Sequence, residues 1–155
     1  MSRAFMKEAE DGEGEALPDR VISPHPNFVT ARGLALLEAR RRELESARAQ
    51  ARAAEDNAAL AAIGRDLRYF QARCESARVV EPAAAPDAVR FGVQVTLAGS
   101  DGHERTFRIV GEDEADPAQG LLSYVSPLAR ALLGLRVGDQ VEFGPEPATI
   151  ERLER

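Results

Sequence analysis

The chain has 155 residues, 44% of them apolar and 30% charged, with a net charge of −6. No run of about 18 uncharged apolar residues occurs, which argues against a membrane span, and the single cysteine, Cys74, excludes an intrachain disulfide or a thiolate zinc site. Charge is unevenly spread, −3 over residues 1–28, +3 over 29–79 and −6 over 80–155, so independent DNA binding is not expected of an acidic chain with one moderately basic segment.

Residues 1–28 hold acidic groups and prolines but little to bury, and are expected to be a mobile tail. They lack the apolar core of a secretory signal, so a cytoplasmic address is expected. Within them LPDRVISPHPNF favours extended backbone through three prolines, and His25 reads as a linker residue. Thr30 then stands as a helix N-cap before a proline-free stretch, rich in Ala, Leu, Arg and Glu, that reaches Val79. In its second half Leu60, Ile63, Leu67, Phe70, Cys74 and Ala77 follow an a/d spacing. The first half has a weaker seam of Leu34, Leu37, Arg41, Leu44, Arg48 and Ala51. Ala54 to Ala58 interrupts the period, with Asp56 or Asn57 placed to cap a second helix. Residues 29–80 therefore predict an antiparallel αα-hairpin, a coiled coil with arms of about 22 residues and about 33 Å. Cys74 lies on the seam and reads as packing.

Residues 81–88, EPAAAPDA, form a linker, after which the period becomes two. Phe91, Val93, Val95 and Leu97 mark one strand, Ser100-Asp101-Gly102 a turn, and Thr106, Arg108 and Val110 a second strand. Leu121 to Val125 reads as a third. Ser126 as N-cap and Pro127 at the first helical position open a short helix from Leu128 to Leu133, ended by Gly134. Strands at Gln140 to Phe143 and Thr149 to Leu153 complete a small antiparallel β domain over residues 89–155, and the fold class is α+β. The run Glu112-Asp113-Glu114-Ala115-Asp116 reads as a solvated loop, because the spacing of a calcium loop is absent.

The stretch FGVQVTLAGSDGHERTFRIVGEDEADPAQGLLSYVSPLARALLGLRVGD, residues 91–139, resembles the C-terminal domain of bacterial Gre transcript-cleavage factors. Val29-Thr30-Ala31-Arg32-Gly33 is similar to the opening of the Gre hairpin and Ser76 to Val80 to its close. The resemblance implies an FKBP-like β domain and docking on RNA polymerase at the rim of its secondary channel. Val125, Ser126 and Pro127 would form the docking loop. It also implies a hairpin directed to the polymerase active site, where tip acids help hold a catalytic Mg²⁺ during cleavage of backtracked RNA. Nascent RNA would be met only indirectly, and the factor, expected to be a monomer, would be no enzyme by itself and bind no metal alone.

Glu55 and Asp56 are the tip candidates, although the family's Gly-Asp opening is absent from Arg52-Ala-Ala-Glu-Asp-Asn. The hairpin is also shorter than the family's by roughly two turns per arm, on the order of 10 Å. Ala131 to Asp139 is similar to the regulator of nucleoside-diphosphate kinase, a Gre relative with a shortened hairpin. A cleavage-stimulating factor, a non-cleaving occupant of the channel and a β-domain adaptor that never meets polymerase thus stand as alternatives.

Overall fold

The computed structural model describes residues 16–155, so most of the expected acidic tail lies outside the described residues. The described chain forms two compact units, one of residues 16–26 and 35–76 and the other of residues 27–34 and 77–155.

In the first unit the hairpin expected from the seam is present. Helix α1 runs Ala31–Ala53 and helix α2 runs Asn57–Ser76. Leu37, Leu44 and Ala51 are buried at intervals of seven, as are Leu60 and Leu67, the spacing that keeps one stripe of each helix facing its partner. Arg41 on the α1 stripe is a poor fit: its Nε is buried without a hydrogen bond and lies 3.7 Å from Glu45 Oε1. Residues ahead of the hairpin also bind it. Asp19 accepts from Arg68 Nε at 2.5 Å, the Leu17 carbonyl accepts from Arg68 Nη2 at 3.1 Å, and the Arg20 guanidinium lies 3.9 Å from the centre of the Tyr69 ring. The part of the expected tail at residues 17–20 is therefore held against α2 by ionic and cation–π contacts.

The second unit starts with β1 (Phe28–Val29), which pairs in parallel with β2 (Arg78–Val79). Arg78 N–H donates to the Asn27 carbonyl and Val80 N–H to that of Val29, both at 2.9 Å. The chain thus enters and leaves its long helical excursion through two hydrogen-bonded neighbours. Gly111 lies beside β1, and a Cβ there would come 2.4 Å from the Phe28 carbonyl oxygen, so no other residue fits without backbone movement.

The main sheet comprises β3 (Gln94–Ala98), β4 (Glu104–Val110), β5 (Leu121–Ser123), β6 (Gln140–Phe143) and β7 (Glu146–Glu154), in the order β5-β4-β3-β7-β6. The expected all-antiparallel sheet needs one correction, since β4 and β5 are parallel. Ten residues, 111–120, carry the chain back along β4, and Gly120 turns it at φ 75° where a Cβ would meet the Thr106 carbonyl at 2.6 Å. The α+β class holds. Val95, Leu97, Phe107, Ile109, Leu122 and Ile150 form one apolar face of the sheet, and α3 (Pro127–Leu132) lays Ala129 and Leu132 on the same core. The linker's last residue, Ala88, is buried, and Val89 joins that core.

Candidate functional site

The hairpin tip is built by how α1 ends. Glu55 N–H donates to the Arg52 carbonyl and Asp56 N–H to that of Ala51, the paired bonds of a Schellman motif. That motif requires a left-handed residue, and Glu55 fills the position at φ 52°, the one non-glycine with positive φ among the described residues. Glycine adopts this conformation freely, whereas a side chain costs about 1–2 kcal/mol. Asp56 then caps α2, its Oδ1 accepting from Ala59 N–H at 3.1 Å. Both acids are exposed. The two candidates therefore differ: the Asp56 side chain has a structural duty that explains it, and Glu55 occupies a strained apex where, among the described residues, its carboxylate accepts no hydrogen bond.

Chemically the tip is a pair of adjacent carboxylates that suits a hard cation whose remaining ligands come from elsewhere. One Asp56 oxygen is already engaged in the cap. Among the described residues no group of three or more His, Cys, Asp or Glu side chains could hold a metal ion by itself.

The second candidate, Val125-Ser126-Pro127, lies in the β domain. Ser123 Oγ accepts from Val125 N–H at 3.3 Å, Ser126 Oγ accepts from Ala129 N–H at 3.4 Å, and Pro127 is the first residue of α3. The capping bond fixes the loop. Val125 and Ser126 are half-buried, and Pro127 is exposed. Cap and surface are compatible, because the serine hydroxyl faces its own helix while the proline ring faces outward.

One buried carboxylate escaped the sequence reading. Glu114, expected in a solvated loop, keeps only 3% of its side chain exposed. It accepts from Thr30 Oγ1 at 2.5 Å and from Arg32 Nη1 at 2.9 Å. The Thr30 hydroxyl in turn accepts from Gly33 N–H at 2.9 Å, which confirms it as the α1 cap. A carboxylate is thereby delivered to the positive end of a helix dipole from 84 residues away. The usable signal was a cap without its acid, because the position three after Thr30 is Gly33 where a capping box would place Glu. A Cβ on Gly33 would lie 2.9 Å from Glu114 Oε1, so glycine leaves the room the carboxylate takes.

Comparison with known proteins bears on this β domain. Residues 83–151 match the family described as "Transcription elongation factor, GreA/GreB, C-term". The chain is 48% identical over 81 residues to transcription elongation factor GreB of Neisseria meningitidis, covering 51% of this chain and 50% of that protein. It is 49% identical over 67 residues to transcription elongation factor GreA of Paracoccus denitrificans, covering 43% of each. The chain thus spans about half the length of the curated relatives it matches. A solved GreA/GreB factor from Nitrosomonas europaea superposes over 83% of this chain and 99% of its own at 19% identity, with a TM-score of 0.43.

Proposed function

We propose that the chain, whose residues 83–151 match the GreA/GreB C-terminal family, is an accessory factor of bacterial RNA polymerase that acts on backtracked elongation complexes. The observation that carries the reading is the family match over residues 83–151, joined to a helical hairpin that precedes the same domain. In this reading the loop at Val125, Ser126 and Pro127 docks at the rim of the secondary channel. The hairpin enters the channel, and Glu55 is the acid presented toward the polymerase Mg²⁺. Asp56 holds the turn in which Glu55 sits. The polymerase supplies the cleavage chemistry, in which a second metal stabilises attacking and leaving oxygens.

Halted, backtracked complexes assembled with the cognate polymerase test the proposal. Short 3′ RNA fragments should appear faster with the protein than without it, and Glu55→Gln should remove the increment. Failure of the protein to co-purify with polymerase would reject docking itself.

A second reading, a channel occupant that does not stimulate cleavage, is favoured by the engagement of Asp56 in capping and by the short arms. It predicts dose-dependent suppression of cleavage stimulated by a separate Gre factor, with no fragments made by this protein alone.

A further inference from the structure

At one end of the β domain, the β3–β4 and β6–β7 turns flank an open cleft of about 590 Å³, within the size range of small-ligand sites. It lies away from the docking loop in sequence and shares no residue with it. Leu97 and Ala148, 1% and 3% exposed, form part of its lining. Beside them stands Phe143, whose ring meets the core ring of Phe107 at 5.7 Å.

The polar groups of the lining are unevenly matched. Asp101 on the β3–β4 turn accepts from the backbone N–H of His103, and Glu146, the first residue of β7, accepts from the Ser100 hydroxyl. Asp101 Oδ2 also lies 3.9 Å from His103 Nδ1, and among the described residues neither acid forms an ion pair with an arginine. Glu104 differs, because Arg152 pairs with it at 3.3 Å, and its hydrogen bond to that guanidinium raises the arginine's pKa above the ordinary value. The lining therefore offers an apolar surface between two carboxylates, and its three acids, Asp101, Glu104 and Glu146, outnumber its one arginine, Arg105. The guanidinium of Arg105 lies 5.3 Å from the centre of the Phe143 ring, which shows the kind of group this ring accepts.

We propose that the cleft binds the side chain of an arginine presented by a partner polypeptide, its stem on Leu97, Phe143 and Ala148 and its guanidinium reaching Asp101 and Glu146. Arginine suits the site better than lysine because its planar, weakly hydrated head can stack on an aromatic face and still donate to carboxylates. The inference is independent of the polymerase reading, since a protein that never stimulated cleavage would carry the same cleft.

Titration of the isotope-labelled full chain with a glycine-flanked arginine peptide, followed by amide chemical shifts, tests it. Shifts should concentrate in residues 97–105 and 143–148. The same peptide with citrulline, which keeps the shape and loses the charge, should bind about tenfold more weakly. Asp101→Asn combined with Glu146→Gln should remove the shifts while leaving the rest of the spectrum in place. Arg105→Gln, which clears the face of Phe143, should tighten binding about two- to fivefold. Equal binding of the citrulline peptide would overturn the proposal, as would an absence of shifts in this region. Equally tight binding of agmatine, an alkylguanidine without a peptide backbone, would also overturn it, by showing a site for a free small cation.

Discussion

Glu55 and Asp56 are neighbours in sequence, yet their energetics oppose one another. Asp56→Ala should lower hairpin stability by about 1 kcal/mol, the usual loss for an N-cap carboxylate, read as a shift in the denaturation midpoint. Glu55→Gly should do the reverse and raise stability by about 1 kcal/mol, because it relieves a left-handed side chain. If the same variant loses its effect on backtracked complexes, the loss cannot be a folding defect. A destabilised Glu55→Gly protein would show that the φ at this position carries no strain. The cap at Asp56 was legible because N-capping is local, involving a residue only three positions away. Glu114 was not legible, because its partners Thr30 and Arg32 lie more than 80 residues off and its acidic neighbours look like solvent-facing loop. Glu114→Gln should cost about 1.5–3 kcal/mol, as expected for hydrogen bonds to a charged group. Combining it with Gly33→Ala should give less than the sum, since both changes disturb one interaction.

At the scale of elements, periodicity decided what could be read. The a/d spacing of Leu60 and Leu67 and of Leu37 and Leu44 repeats often enough to announce two helices, and the alternation through Val93, Val95 and Leu97 announces a strand. Two-residue β1 and β2 have no room for a period, and only their pairing across some 50 residues defines them. The direction of β5 was equally hidden, because alternation gives a strand's faces and not its sense. Contacts of Asp19 and Arg20 with α2 depend on long-range ion pairing that proline-rich composition obscures. The seam also contains a residue that works against it. Arg41→Leu should stabilise the hairpin by about 1 kcal/mol, by replacing a buried Nε without a hydrogen bond with an apolar side chain at an a/d position while giving up only a 3.7 Å contact of a partly exposed guanidinium with Glu45. Thermal unfolding followed by helical circular dichroism would measure it, and an unchanged or lowered midpoint would refute the assignment of Arg41 as a misfit.

For the whole molecule, the division into two units predicts separable stability. Leu67→Ala, which empties a position 1% exposed, should cost about 2–5 kcal/mol. Amide exchange should quicken through residues 35–76 while the amides of β3, β4 and β7 keep their protection. Loss of protection in the sheet as well would mean that the units unfold together. The fold class could be read from the chain, since the hairpin and the sheet each carry their own period, and the cap at Ser126 and Pro127 was found because a helix start is a local signal. The cleft beside Phe143 was not, because its two turns come together only when β3 pairs with β7. The parallel pairing of Phe28 with Arg78 and of Val29 with Val79 has a consequence for descent and for engineering. Everything between these strands leaves from and returns to adjacent points, so the helical excursion is a cassette within the β domain's own chain. Matched heptads can be added to or removed from both arms without altering a residue of the sheet. The length of the hairpin is therefore free to vary independently of the sheet and its loops.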